Sequence, residues 1–132
     1  MAGLITFPRR LLVAALILVT GIGVLLLARD QPAGAASGGT VKVSAKKGQL
    51  KFNTTRLSAR HGRVTLVMTN PRGSGIPHAI AVEGHGIDKD GKTARPGATS
   101  RVTVTLKKGT YDFYCPVDGH RAAGMKGKLT VR

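Results

Sequence analysis

A lone cysteine cannot close a disulfide within its own chain, and Cys115 is the only one among 132 residues. Its thiol needs another occupation, and a two-metal centre bridged by a pair of cysteines is excluded. Tryptophan is absent, and two Tyr and three Phe leave few flat faces on which nucleobases stack. Acidic residues are scarce as well: six Asp and Glu stand against 21 Lys and Arg, a net charge of +15. Such a balance raises nucleic acid as a partner, but the cations are scattered singly and no helical stretch gathers them. Nucleic-acid binding is therefore not expected. A basic exterior of this kind instead keeps a domain soluble and steers it toward an anionic partner or an anionic membrane surface.

The one long apolar run lies near the N-terminus. Residues 11–28 are 18 positions without a charge. As a helix they span about 27 Å at about 1.5 Å per residue, just enough for a hydrocarbon core of about 30 Å. Arg9 and Arg10 precede the run, as in an export signal, and Ala33-Gly34-Ala35-Ala36 follows it as a candidate cleavage site. Residues 1–30 thus read as one hydrophobic helix, either a signal peptide or an uncleaved membrane anchor. No cysteine stands nearby to carry a lipid. Arg29, Lys42, Lys46 and Lys47 oppose the N-terminal arginine pair in the positive-inside count. The downstream lysines belong to what reads as a folded domain, which crosses largely regardless of charge. The expectation is an extracytoplasmic domain, tethered by the helix or periplasmic or secreted after cleavage. Residues 31–40, small and polar, read as a flexible linker. Three of the 21 basic and one of the six acidic residues fall in 1–30, which leaves 18 against five and a net +13 on the rest.

From residue 41 the pattern turns to short alternating runs punctuated by Gly, Pro and Asn. Val41 to Val43, Leu50 to Phe52, Val64 to Thr69, Ala79 to Val82, Val102 to Lys107, Tyr111 to Cys115 and Leu129 to Val131 read as strands. Residues 83–99, rich in Gly, Lys and Asp, read as a long exposed connection. No stretch here keeps a 3.6-residue period beyond two turns. The expected fold is all-β, an antiparallel sandwich of seven or eight strands over residues 41–132.

The chemistry-bearing residues cluster late. Cys115-Pro-Val-Asp-Gly-His120-Arg-Ala-Ala-Gly-Met125 places one thiol, one imidazole and one thioether on a single loop, and His78 closes a Pro-His pair upstream. Singly, each has an ordinary explanation: a buried apolar thiol, a core histidine, a gap-filling methionine. Together, two imidazoles, a thiolate and a long axial thioether are the ligand set of a blue-copper electron-transfer site. Soft sulfur suits Cu(I) while imidazole also accepts Cu(II), so one shell serves both oxidation states. His61 and His85 sit in turn contexts and read as exposed and unliganded.

The segment Asn70-Pro-Arg-Gly-Ser-Gly-Ile-Pro-His78 and the run from Tyr114 to Val131 resemble the cupredoxins, the small blue-copper proteins related to plastocyanin. The Pro77-His78 pair and Gly109-Thr-Tyr-Asp-Phe-Tyr-Cys115 are similar to plastocyanin-like members. The four-residue spacings from Cys115 to His120 and from His120 to Met125 are closer to rusticyanins and sulfocyanins. The resemblance implies a Greek-key sandwich, one type 1 copper, and His78, Cys115, His120 and Met125 as ligands. Two departures stand out. Many cupredoxins carry Asn after the first His, where its side chain ties the two metal loops together; this chain has Ala79. Pro116 follows Cys115 in place of a hydroxyl side chain. The Ala79 and Val117 amides are left as the expected donors to the Cys115 sulfur. With apolar Ile76, Pro77, Val117, Ala122 and Ala123 nearby, they should favour the reduced state and raise the potential.

The function expected is a one-electron Cu(I)/Cu(II) shuttle between redox partners. The edge of His120 is the expected port, with Gly75, Ile76, Pro77, Val117, Ala122 and Ala123 as its apolar rim. A partner with an acidic docking face, such as a cytochrome or terminal oxidase, suits the charge. The alternative is a copper carrier or storage protein using the same ligands without redox turnover. Catalysis is not expected, because a Cys nucleophile needs an oriented base and an oxyanion pocket. Asp118 is the loop's only carboxylate.

Overall fold

The computed structural model describes residues 38–132. The expected N-terminal helix, its cleavage site and residues 31–37 of the linker lie outside the described residues.

Among the described residues, eight strands form two sheets. Gly39–Ser44 (β1), Gly62–Thr69 (β3) and Thr99–Leu106 (β6) make one, in the order β1-β3-β6. Arg56–Ala59 (β2), Ala81–Gly84 (β4), Ile87–Asp90 (β5), Gly109–Tyr114 (β7) and Lys126–Val131 (β8) make the other, in the order β2-β8-β7-β4-β5. Strand β1 opens at Gly39, two residues ahead of the expected start of the domain.

Alternation decides which face each strand buries. In β6, Ser100, Val102, Val104 and Leu106 point inward while Arg101, Thr103 and Thr105 face out. Antiparallel pairing with β3 sets Val64 opposite Val104 and Leu66 opposite Val102, so branched side chains meet on the inner face. On the outer face Thr65 and Thr103 pair through their hydroxyls at 2.9 Å. The second sheet contributes Val82, Tyr111, Phe113, Leu129 and Val131 to the same core. Opposite Phe113 stands Gly127, where any Cβ would collide with the Phe113 ring and the Thr55 carbonyl. Glycine there lets the ring lie flat across its partner strand.

Three expectations need correction. The sandwich is not purely antiparallel: β1 runs parallel to β3, and β2 parallel to β8. Alternation reports which face is buried but carries no information on strand direction, and here β1 to β4 alternate between the two sheets. Leu50 to Phe52 is not a strand but one arm of a tight turn, held by the Ala45–Phe52 bridge, with Phe52 tucked against Phe113 at 5.3 Å between ring centroids. Residues 83–99 are not merely an exposed connection. They include the end of β4, the whole of β5 and buried Ala94. The β4–β5 hairpin turns on His85 and Gly86, both at positive φ (51° and 79°), the pattern of a type I′ turn.

Candidate metal centre

Two segments from different parts of the chain deliver the polar groups to one end of the sandwich. His78 leaves the loop after β3 and is pinned by a two-way bridge to Ala94, with amide–carbonyl distances of 3.0 and 2.7 Å. Asn70 braces the same loop from within. Its buried amide nitrogen donates to the carbonyls of Ile76 at 2.8 Å and Ala94 at 2.9 Å. Beyond His78, the Ile80 amide donates to the buried Ser100 hydroxyl on β6, which joins the segment to the opposite sheet.

The second segment runs from Cys115, one residue past β7, to Met125, one residue before β8. Its ends are cross-tied, since the Cys115 amide donates to the Met125 carbonyl at 3.0 Å. Between them the His120 amide donates to the Val117 carbonyl, and the Met125 amide to the His120 carbonyl, each at 3.0 Å. Gly119 and Gly124 take positive φ at the two tight bends, 73° and 100°, which glycine adopts without steric cost. The loop therefore folds into two small turns that present Cys115, His120 and Met125 inward, all three buried.

The structure brings His78, Cys115 and His120 together, with one ligand atom from each inside 4.8 Å of the others. The Nδ1 atoms of His78 and His120 stand 3.2 Å apart, and the Cys115 Sγ lies 3.4 Å from His120 Nδ1. Three donors aimed at one point are an awkward fit for hydrogen bonding alone. They suit a metal ion. With zinc-like bond lengths of about 2.0 Å to nitrogen and 2.3 Å to thiolate, a trigonal ion separates the nitrogens by about 3.4 Å and nitrogen from sulfur by about 3.7 Å. The two sides that meet at His120, 3.2 and 3.4 Å, are close to those lengths, and the third lies within 4.8 Å. Met125 is fully buried on the same loop, with its carbonyl and amide tied to Cys115 and His120.

At His78 protonation favours the same reading. Burial, and then the neighbouring His120, pull the His78 pKa below its ordinary value, toward the neutral imidazole that binds metals. Burial pushes the Cys115 thiol up, opposed by amide hydrogen bonds from Ala79 and Val117. The Ala79 amide reaches the sulfur at 3.4 Å. Of the two expected N–H donors, Ala79 thus makes its hydrogen bond to the sulfur. His61 and His85 lie apart from the cluster and are exposed. His61 Nδ1 sits 3.0 Å from the Arg132 carbonyl, and His85 packs on the Tyr111 ring.

Sequence reasoning missed four residues around the site: Asn70, Ala94, Ser100 and Arg121. Asn70 and Ser100 act through backbone partners distant in the chain, and Ala94 acts only through its backbone, so none carries a local signal. Arg121 reads as one more scattered cation. In the structure its guanidinium grips the Glu83 carboxylate with both terminal nitrogens and lies 4.0 Å over the Tyr114 ring.

No curated protein is a significant sequence match to the chain. Solved structures share its fold. Auracyanin B is 26% identical with a TM-score of 0.64, over 73% of this chain and 90% of that one. A dithionite-reduced auracyanin from the photosynthetic bacterium Roseiflexus castenholzii is 21% identical with a TM-score of 0.63, over 74% and 99%. Amicyanin from Paracoccus versutus is 22% identical with a TM-score of 0.52, over 78% and 86%. The family model of copper-binding proteins of the plastocyanin/azurin type matches residues 39–132, which hold both sheets and all the converging ligand atoms. On that match the chain belongs to the plastocyanin/azurin family, the cupredoxins, and its cofactor is copper.

Proposed function

We propose that the protein is an extracytoplasmic one-electron carrier in which His78, Cys115, His120 and Met125 hold a single copper ion. The observation that carries this reading is the buried triangle of two imidazole nitrogens and one thiol sulfur, with the Ala79 amide N–H on the sulfur. Copper bound there supplies one-electron exchange between its two oxidation states. The protein's part is to hold the donors still. His78 is fixed by the Ala94 bridge, and the loop of Cys115 and His120 is closed on itself by backbone hydrogen bonds. Little has to move when charge changes.

His120 retains 7% of its surface, the exposed edge of an otherwise buried centre. Ile76 and Val117 are half-buried, while Gly75, Pro77, Ala122 and Ala123 are exposed. These residues form the apolar collar through which we assign electron entry and exit. The +13 charge outside residues 1–30 supports a redox partner with an acidic docking face, a cytochrome or terminal oxidase in kind. Residues 11–28 support export, with the domain tethered or released. Among the described residues the His120 ring is hydrogen-bonded to His78 and Cys115 and to no carboxylate, which weighs against a hydrolytic use of Cys115.

The test is to load the purified full-length protein with cupric salt under air. An intense thiolate-to-copper band near about 600 nm, with a reversible one-electron titration, is the expected result. Amide donors and an apolar shell should place the midpoint in the upper part of the blue-copper range. A colourless cuprous form that resists oxidation would move the assignment to copper carriage or storage. Absence of any copper binding would refute both.

Met125→Leu tests the fourth ligand. The thioether is soft, but as a weak axial donor it adds electron density that the more highly charged cupric ion gains more from than the cuprous one. A hydrocarbon in its place removes that difference. The band should persist while the midpoint potential rises, as read by the same titration. An unchanged potential would remove Met125 from the ligand set.

A further inference from the structure

The ligand loop's own hydrogen bonds fold it upon itself and close its two ends on each other. They do not tie it to β4, the strand that follows His78. Among the described residues, the side-chain bonds from the loop to β4 are those of Arg121. One guanidinium nitrogen donates to Glu83 Oε2 at 2.9 Å, and the other donates to Oε1 of the same carboxylate. The plane of the guanidinium also covers the Tyr114 ring at 4.0 Å. Tyr114 is held from its far end, where its hydroxyl donates to Asp88 Oδ1 at 3.1 Å.

The chain positions of these partners matter. Arg121 is the neighbour of His120, Tyr114 is the neighbour of Cys115, and Glu83 lies five residues beyond His78. One side chain therefore links the approaches to all three clustered metal donors. Strand pairing sets the frame, with Ala81 opposite Tyr114 and Glu83 opposite Asp112. A forked, stacked guanidinium gives directional contact on two sides, which a lysine ammonium cannot reproduce.

We propose that Arg121 is a positioning residue: it clamps the ligand loop onto β4 and the Tyr114 ring, and so fixes His120 relative to Cys115 and His78. The proposal rests on the copper-site reading above, since loop rigidity matters most where the metal shell must not rearrange during electron exchange. The pair is partly exposed, with side-chain accessibilities of 44% for Arg121 and 29% for Glu83. Its role is accordingly to restrict motion, and the global fold does not depend on it.

The test uses two substitutions in the full-length protein, Arg121→Lys and Glu83→Gln. Lysine keeps the charge but loses fork and stacking; glutamine keeps the shape but loses the charge. In the metal-free protein, amide hydrogen exchange across residues 117–124 should accelerate by about tenfold in each, while the amides of β3 and β6 keep their protection. In the copper-loaded protein, electron self-exchange should slow and the cupric paramagnetic resonance lines should broaden as the site samples several geometries. The double change Glu83→Arg with Arg121→Glu, which restores an ion pair but not the stacking, should recover part of the loop protection. Unchanged loop exchange in both single variants would overturn the clamp. A wild-type protein that takes up no copper would refute the proposed function, while the metal-free exchange experiment would still decide the clamp.

Discussion

Replacing Cys115 by Ser should abolish the visible band of the copper-loaded protein and weaken copper binding by at least about a hundredfold. A serine hydroxyl stays protonated at neutral pH and is a poor donor to Cu(I), so the charge-transfer pair disappears with the sulfur. The fold should survive the change. Serine is close in size, and the buried oxygen inherits the Ala79 amide donor that now serves the sulfur. A buried hydroxyl that accepts hydrogen bonds costs about 1 kcal/mol or less relative to the thiol. The decisive comparison is therefore absorption against urea unfolding of the metal-free protein. Loss of colour with a midpoint within about 1 kcal/mol of wild type supports a ligand role. Retained colour would remove Cys115 from the site, and loss of colour with collapse of the fold would make it a core residue.

The candidate site residues stood out in the sequence because their chemistry is rare and their order is local. A lone thiol, a histidine and a methionine at four-residue spacings need few alternatives weighed. The inner faces of β3, β6 and β7 were legible for a different reason. Val64, Leu66 and Met68 alternate strictly, as do Val102, Val104 and Leu106, and each set is buried. What stayed hidden depends on partners far along the chain or on edge position. Strand β2 holds only half-buried Leu57 and Ala59 between exposed Arg56 and Ser58, too weak a stripe to announce itself. Strand β5 is Ile-Asp-Lys-Asp, and it is a strand because the His85-Gly86 turn folds it back on β4. Histidine at positive φ is an unusual first residue for such a turn, so the hairpin signal was muted. The same oversight hid Ala94, whose backbone holds His78 in place. The parallel pairings β1–β3 and β2–β8 leave no trace in hydrophobic alternation at all.

Phe113→Ala should be the most destabilising single change in the domain, costing about 3–5 kcal/mol of a total of roughly 5–15 kcal/mol. The ring is fully buried on β7, two residues before Cys115 in the chain. It fills the space that Gly127 leaves open on β8 and meets Phe52 at a tilt of 43°. Truncation thus opens a cavity walled on one side by a glycine that has no side chain to advance into it, and on the other by a ring anchored in a tight turn. Collapse can recover little. Urea unfolding of the metal-free protein reads the loss directly, since bound copper would add its own linkage stabilisation. The thermal midpoint should fall by roughly 12 °C or more for a domain of this size. Lys108→Ala, exposed beyond the end of β6, should stay within about 0.5 kcal/mol of wild type and serves as the control. A loss below about 1.5 kcal/mol for Phe113→Ala would mean that the sheets close over the gap. In that case the floor beneath Cys115 is softer than the packing of β7 against β8 implies.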